Sequence, residues 1–294
     1  MDHNLNPKIS VVMIDGSFRE NFSAIKYFGD QSLPSESYEL IWVEYYNNVD
    51  KNLRREIEKF PNFRILTLGR EGEYHSSYCF NAGISESIGD VIVIPDADLV
   101  VENNFLEEIL SEHRKNNELA MYIYRLNEPK ELHQEPITLE HLKQVCILTN
   151  PTNYGGCLSV RKEWLLKING YEQHPTFGTG FHANGLDIYT RLKNLGLQIK
   201  WHPTLRLYHA WHPFTEISDH AYKLQKEIIK YRERNLLTNT FCGIDVKRNQ
   251  SIPDELIERL EKIRVGKSYN SNKKLVTSFK LRDIASRFTR DLTP

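Results

Sequence analysis

The first hundred residues alternate between short apolar runs and segments of helical character, and this pattern strongly limits the folds open to the chain. Four runs have the length and composition of buried strands, at 9–14, 40–44, 63–68 and 91–94. Segments of helical character lie between them, at 19–29, 53–60 and 78–87. Strands that alternate with helices predict an α/β fold, with a mostly parallel sheet and helices on both faces.

Composition and charge exclude several classes of protein. The chain has 294 residues, 40% of them hydrophobic, and a formal net charge of -1, which suits a globular protein and not a general binder of polyanions. Its four cysteines are scattered without Cys-x-x-Cys spacing, so a zinc site or a disulfide framework is not expected. The polar N-terminus has no signal-peptide core, and no apolar run approaches the roughly 20 residues that span a bilayer. We therefore expect a cytoplasmic protein.

The second half of the chain is less regular. Predicted helices lie at 103–115, 161–168, 186–195, 221–231 and 256–263, the last followed by Gly266. Predicted strands lie at 122–124, 155–160, 199–201 and 205–208. We expect one domain over 1–215, with a nucleotide-binding half at 9–100 and an acceptor-side half at 101–215, then a helical extension at 216–266.

A basic tail completes the predicted organisation at 267–294. It carries seven basic residues against two acidic ones, and its apolar residues fit one helical face. A basic amphipathic helix of this kind is a candidate for peripheral contact with the inner face of a membrane. The alternative is a solvated terminus, or a helix packed on its own domain.

Two carboxylates follow the fourth predicted strand, in the sequence Asp96-Ala97-Asp98. Alternate side chains of an extended segment point the same way, so the two can converge on one object. Adjacent carboxylates repel each other unless a cation or proton lies between them, and the natural partner is Mg²⁺ or Mn²⁺. Taken alone, an Asp-x-Asp at a strand end is more often a simple turn. The surrounding order of strands favours the metal site, because Asp15 and Glu44 also follow strands and ligands bind beyond the carboxyl ends of such strands.

The order of these pieces resembles the family 2 glycosyltransferases, which have the GT-A fold. The resemblance covers roughly residues 9–212. It rests on the first strand and loop at 9–21, the second strand ending in Glu44, Asn81-Ala82-Gly83-Ile84, Gly89-Asp90, Pro95-Asp96-Ala97-Asp98, the segment from Tyr154 to Tyr171, Asp187 to Leu192, and His209. One departure lies in the loop, where Ile14 to Arg19 replaces the usual Pro-Thr-Tyr-Asn-Arg type.

This resemblance implies an activity and a donor site. It implies transfer of a sugar, hexosyl or hexosaminyl, from a nucleoside diphosphate sugar to a hydroxyl of a glycan or other acceptor, with UDP as the default nucleotide. The metal would be held by Asp98 with His209 and Asp96, and carboxylate with imidazole suits Mn²⁺. His212, three residues after His209, is a second candidate ligand, ranked below it. The donor-binding candidates are Asp15, Glu44, Arg70, Asn81 and Asp96.

The resemblance breaks at the general base. Inverting members carry a Glu-Asp pair just before a helix, and Asn184-Gly185 occupies those positions here. Asp187 and His182 remain as local candidates for the base. Inversion is favoured and retention stays open. The alternatives are a catalytically inactive donor-binding or glycan-binding relative, and a sugar nucleotidyltransferase, although the latter usually needs a glycine-rich basic loop that this chain lacks.

Overall fold

The strands among the described residues form an eight-stranded sheet. The structure is a computed structural model and describes residues 8–178, 183–213 and 219–269. The strands are β1 Ile9–Asp15, β2 Tyr38–Glu44, β3 Phe63–Thr67, β4 Val91–Pro95, β5 Leu99–Val100, β6 Leu119–Asn127, β7 Cys157–Arg161 and β8 Gln198–His209. Their order in the sheet is β3-β2-β1-β4-β7-β6-β8-β5.

The direction of the strands changes in the middle of the sheet. β4 pairs in parallel with β1 on one side and antiparallel with β7 on the other. The pairs β1–β2, β2–β3 and β6–β8 are parallel, whereas β6–β7 and β5–β8 are antiparallel. The sheet is therefore mixed, with more parallel than antiparallel pairs, as the sequence predicts.

Helices cover both faces of the sheet and bury two apolar clusters against it. The helices are α1 Ser23–Gly29, α2 Lys51–Ile57, α3 Ser76–Glu86, α4 Phe105–Lys115, α5 Leu139–Val145, α6 Lys162–Lys167, α7 Asn184–Asn194, α8 Asp219–Arg234 and α9 Asp254–Tyr269. One cluster joins the sheet to α1, α2 and α4, and the other joins it to α3, α6 and α7. This two-faced arrangement confirms the predicted layers.

Three predicted boundaries are wrong for identifiable reasons. The helix predicted from Arg19 begins at Ser23, because the Asn21 side chain accepts a hydrogen bond from the Ser23 backbone at 2.8 Å and the preceding loop is not helical. The two strands predicted around Pro203 are one strand, β8, whose pairing with β6 shifts register there. Proline is tolerated at such an irregularity. The last helix continues through Gly266 to Tyr269, since glycine weakens a helix by about 1 kcal/mol without ending it.

The helical extension predicted at 216–266 packs against the rest of the protein. Leu224, Ile228 and Leu256 from α8 and α9 share a buried cluster with Phe177 and Ala183, which precede them in the chain. None of the described helices is long and apolar enough to cross a membrane. The basic tail beyond residue 269 lies outside the described residues.

A buried group of four charges joins α8 to the core. Arg232 pairs with both Glu172 and Asp187, and Asp187 also accepts a hydrogen bond from Arg191 Nε at 2.8 Å. All four side chains are 1% exposed or less. Two guanidinium groups and two carboxylates balance here, so removal of one member leaves a buried charge without its partner.

We predict that Arg232→Gln destabilises the protein by about 3–5 kcal/mol, because Glu172 and Asp187 lose a shared cation in a buried site. Urea unfolding measures the change. The matched control is Arg234→Gln on the exposed side of the same helix, which should change stability by less than about 0.5 kcal/mol. Equal, small effects of both substitutions would contradict a structural role for the buried group.

Candidate active site

Acidic side chains gather where the central parallel strands end. Asp15 is the last residue of β1 and Glu44 the last residue of β2, and the two are paired in register. Asp96 and Asp98 follow β4, the neighbour of β1 on its other side. The prediction that these four residues lie at the carboxyl ends of strands is confirmed.

The pairing of β5 with β8 brings His209 to Asp98. β5 begins one residue after Asp98, and its Leu99 pairs directly with His209. His209 Nε2 lies 3.8 Å from Asp98 Oδ1, and His212 Nε2 lies 3.6 Å from Asp98 Oδ2. Residues more than one hundred positions apart in the sequence thus form one cluster.

Asp98, His209 and His212 form a group that could hold a metal ion. One ligand atom from each lies within 4.8 Å of the others. Asp98 Oδ1 is buried and accepts no hydrogen bond among the described residues, so it has a free lone pair at this position. One carboxylate with two imidazoles is a donor set that suits Mn²⁺ and other first-row cations. The residues fit a divalent metal.

Asp96 is not part of this three-residue group, in contrast to the predicted metal set. Its Oδ2 pairs with Arg125 Nη1 at 3.0 Å. His212 takes the third position instead. Its spacing from His209, three residues further along, was the only signal for it in the sequence.

The pKa values of Asp96 and Asp98 are shifted in opposite directions. Burial and the neighbouring Asp98 raise the pKa of Asp96 to about 6, despite Arg125. Burial also opposes the ionisation of Asp98, but Arg19, His209 and His212 together outweigh it and hold the pKa of Asp98 well below its usual range. Asp98 is therefore the permanently charged carboxylate of the pair.

Asp15 and Glu44 are almost fully buried and hold the loop after β1. Glu44 Oε1 accepts a hydrogen bond from Trp42 Nε1 at 2.9 Å, and its Oε2 accepts from the backbone N–H and the hydroxyl of Ser17, both at 3.2 Å. Asp15 Oδ1 accepts from the backbone N–H of Gly16 at 2.9 Å. Burial, followed by the charge of Asp15, raises the pKa of Glu44 to about 7. In this structure Glu44 holds the loop after β1 through internal hydrogen bonds.

The structure gives different surroundings to Arg70 and Asn81. The Arg70 guanidinium stacks 3.6 Å over the ring of Tyr78. Tyr78 also lines a pocket of about 220 Å³ with Tyr45 and Tyr74. Asn81 is buried and exchanges two hydrogen bonds with the backbone of Tyr171, at 2.9 and 2.7 Å. This geometry does not support the prediction that Asn81 binds the donor, because its amide already links α3 to the chain near Tyr171.

The predicted bases do not gain support. Asp187 is 1% exposed, and its two oxygens bind Arg191 and Arg232, so it has no free path to an acceptor hydroxyl. This geometry does not support its prediction as the base. His182 lies outside the described residues. Asn184, at one position of the usual acidic pair, is buried and donates to Ser76 Oγ at 2.7 Å.

Glu128 is a residue of the site that sequence reasoning missed. Its fully buried carboxylate accepts hydrogen bonds from His133 at 2.7 Å, from His141 at 2.8 Å and from the backbone N–H of Trp211 at 2.9 Å. Its own N–H donates to the carbonyl of His209 at 2.9 Å. Glu128 therefore fixes the turn that carries His209 and His212. It lies in a polar stretch without periodicity, so the sequence offered no signal for it.

The comparisons with known proteins agree with this architecture. Residues 31–168 match the family described as Glycosyl transferase family 2, which confirms the predicted resemblance over that segment. No curated protein matches the chain by sequence.

Solved glycosyltransferase structures share the fold of the chain. TarS 1–349 of S. aureus is similar at 11% identity, with 94% of this chain and 77% of that chain covered and a TM-score of 0.56. TarS 1–349 in complex with UDP is similar at 12% identity, with 95% of this chain and 78% of that chain covered and a TM-score of 0.55. GalNAc-T7 with UDP, GalNAc and Mn²⁺ gives 13% identity, 89% and 55% coverage and a TM-score of 0.55, so this chain spans about half of that one. The predicted GT-A fold is confirmed.

We predict that His209→Ala and His212→Ala each weaken Mn²⁺ binding by roughly 10-fold or more, because each removes an imidazole from the cluster. Calorimetry measures the affinity, and thermal unfolding without metal measures stability. His174→Ala is the control, since His174 is not part of the cluster. Unchanged Mn²⁺ affinity with a large loss of stability would instead assign the histidines to packing.

We predict that Glu44 makes the protein less stable as the pH rises. Its pKa is about 7 in the folded protein against 4.5 as a reference, so the folded state holds the proton more tightly. Stability then falls as the pH increases from about 4.5 to about 7, by up to about 3 kcal/mol. Glu44→Gln should remove this part of the decline in urea unfolding compared at pH 5 and pH 8. An identical pH dependence in the variant would show that Glu44 ionises freely.

Proposed function

We propose that the chain is a metal-dependent glycosyltransferase that moves a sugar from a UDP-sugar to a hydroxyl of a glycan or other acceptor, in polysaccharide or glycoconjugate synthesis. The observation that carries this proposal is the cluster of Asp98, His209 and His212 beyond the ends of the central strands. A fold does not by itself establish an activity, so the proposal rests on this site within that fold.

The residues of the cluster have a clear task in such a reaction. The leaving group of a sugar transfer from this donor is a nucleoside diphosphate, on which negative charge develops as the sugar departs. Asp98, His209 and His212 would hold Mn²⁺ or Mg²⁺, which supplies charge neutralisation for that leaving group. Arg19 forms an ion pair with Asp98, and Arg125 forms one with Asp96. Both guanidinium groups add positive charge at the same edge of the sheet.

The nucleoside end of the donor would lie toward β1 and β2. The loop after β1 is fixed by Asp15 and Glu44, which gives the donor a preformed surface. Arg70 and the tyrosines beside it present stacked planar groups, which are suited to contact with a nucleobase or ribose. We assign recognition of the base to these side chains in preference to the Glu44 carboxylate, whose oxygens accept internal hydrogen bonds.

A second function is favoured by one specific observation. Asn184 and Gly185 occupy the positions of the usual acidic pair, and Asp187 is held by two arginines. Among the described residues of this region, no side chain is free to act as the base, and a chain without such a base could bind the donor without inverting transfer. His182 lies outside the described residues. The rival proposals are thus a retaining enzyme and an inactive donor-binding relative.

We predict that Mn²⁺ strengthens UDP binding by roughly 10-fold or more in the native protein and that Asp98→Asn abolishes this gain. Calorimetry with and without Mn²⁺ tests it. Asp90→Asn is the matched control, because Asp90 is exposed and lies just before β4, at the opposite end of that strand. Equal UDP affinity with and without metal in the native protein would refute the metal-dependent donor site.

Catalysis is tested separately from binding. A panel of UDP-sugars is incubated with the protein and Mn²⁺, and NMR follows donor hydrolysis and the anomeric configuration of the released sugar. Release of the sugar supports the enzyme, and the configuration separates inversion from retention. Coupled binding of UDP and Mn²⁺ without release of sugar from any donor would favour the inactive relative.

A further inference from the structure

Arg19 lies at the centre of the site, where its guanidinium binds the same carboxylate, Asp98, that would hold the metal. It lies in the loop between β1 and α1, and its Nη1 is 2.6 Å from Asp98 Oδ2. Its Nε lies 3.9 Å from Asp15 Oδ1. The side chain is 19% exposed, so the guanidinium is mostly enclosed but reaches solvent.

The two oxygens of Asp98 have different surroundings. Oδ2 binds the Arg19 guanidinium and lies 3.6 Å from His212 Nε2. Oδ1 faces His209 and accepts no hydrogen bond among the described residues. A metal ion on the free oxygen would therefore share its carboxylate with a guanidinium. Two cations on one carboxylate repel each other, and partial burial strengthens that repulsion.

The charges at Asp98 indicate what would relieve the repulsion. Without a metal, Asp98 and Arg19 neutralise each other. When a divalent ion joins them, the group gains two positive charges. Asp15, whose Oδ1 lies 3.9 Å from Arg19 Nε, can balance at most one of them, and Asp96 is already paired with Arg125. The diphosphate of a nucleotide is an anion that can contact both cations at once.

The guanidinium retains hydrogen-bonding capacity for such an anion. Arginine has five N–H donors, and among the described residues Arg19 donates one hydrogen bond, from Nη1 to Asp98. Its Nε is buried and has no hydrogen-bond partner there. Guanidinium groups match phosphate oxygens in geometry and bind them with two parallel hydrogen bonds.

We infer that Arg19 is a second cation for the donor diphosphate, and that by sharing Asp98 with the metal it makes metal and donor bind cooperatively. The inference rests on the proposed function. Arg19 weakens binding of the metal alone, strengthens binding of the diphosphate, and is released from Asp98 toward the phosphates when both ligands are present. Coupling of this kind is reciprocal, so each ligand raises the affinity for the other by the same factor.

Arg19→Gln tests the inference, with UDP and Mn²⁺ as probes in calorimetry. For the variant we expect opposite changes in the two single-ligand affinities. Mn²⁺ alone should bind about threefold or more tightly, since a repelling charge is removed. UDP without metal should bind roughly 10- to 100-fold more weakly, because a charged hydrogen-bond donor is lost. The factor by which Mn²⁺ raises UDP affinity should decrease.

Two further variants keep the test decisive. Arg19→Lys retains the positive charge but not the planar fork, so Mn²⁺ affinity should stay near the native value and UDP affinity should fall between the native protein and Arg19→Gln. It also tests the inference if Arg19→Gln does not fold. Arg64→Gln is the control, because Arg64 pairs with Glu39 at 3.4 Å near the opposite end of β2 and should leave both affinities unchanged.

The outcomes separate this inference from the proposed function. If Arg19→Gln weakens Mn²⁺ binding and leaves UDP affinity without metal unchanged, Arg19 merely braces Asp98 and the inference is overturned while the metal site stands. If the native protein shows no coupling between Mn²⁺ and UDP, the proposed metal-dependent donor site fails first, and the inference fails with it.

Discussion

The site depends on the pairing of a two-residue strand, β5, with the end of β8. Leu99 lies opposite His209 in that pair, and Asp98 immediately precedes Leu99. Without this register, the carboxylate after β4 and the imidazoles after β8 would lie in separate loops. Because a strand pair fixes neighbouring residues at a spacing of about 5 Å, the side chains of Asp98 and His209 are positioned by the sheet and not by a flexible loop. Glu128 continues the same principle one residue beyond β6, where it holds the turn that presents His212.

Several partly or fully buried carboxylates can exist at this edge because each has its own partner. Asp98 is paired with Arg19, Asp96 with Arg125, and Glu44 with donors on Trp42 and Ser17. Burial of a carboxylate is costly unless it is paired or hydrogen-bonded, and the partners differ in kind along the edge. Arg19, His209 and His212 keep Asp98 ionised. At Glu44, burial and the charge of Asp15 outweigh the hydrogen bonds from Trp42 and Ser17 and raise the pKa to about 7. This edge of the sheet therefore combines an ionised carboxylate, Asp98, that could bind a cation with two buried carboxylates, Asp15 and Glu44, that hold the loop after β1.

The extension after the core is part of the same structure. α8 places Arg232 between Glu172 and Asp187, and its apolar residues share a cluster with Phe177. The carboxylate that sequence reasoning assigned to catalysis is thus engaged in holding α7 and α8 together. Polar residues near the start of α7 are satisfied in a similar way, since Asn184 binds Ser76 at the start of α3. The acidic residue at a helix start was therefore better explained by its first-turn position and its arginine partners than by proton transfer.

The layers of the fold, and the edge at which the site lies, could be predicted from the sequence. Alternating apolar runs predict buried strands and helices because their periodicity reflects burial, and the residue that follows each strand then lies at the edge of the sheet. This reasoning located Asp15, Glu44, Asp96 and Asp98 correctly. It also proposed His209, although only through resemblance to a family. The positions of strands and helices, and of the residues that follow them, are local properties that a few consecutive residues indicate.

Which of these side chains contact each other could not be predicted from the sequence and depends on the folded chain. Asp96 and Asp98 belong to one Asp-x-Asp motif, yet Asp98 faces His209 and His212 whereas Asp96 faces Arg125. Likewise, the sequence made Asp187 a candidate base and Asn81 a candidate for donor binding. In the structure Asp187 forms an ion pair with Arg232, and Asn81 hydrogen-bonds the backbone of Tyr171. The physical reason is that partner choice depends on contacts between residues distant in the chain, such as Arg19 with Asp98 or Glu128 with Trp211. A linear pattern records the type of each side chain, whereas only the folded chain fixes its neighbours, its burial and hence its charge.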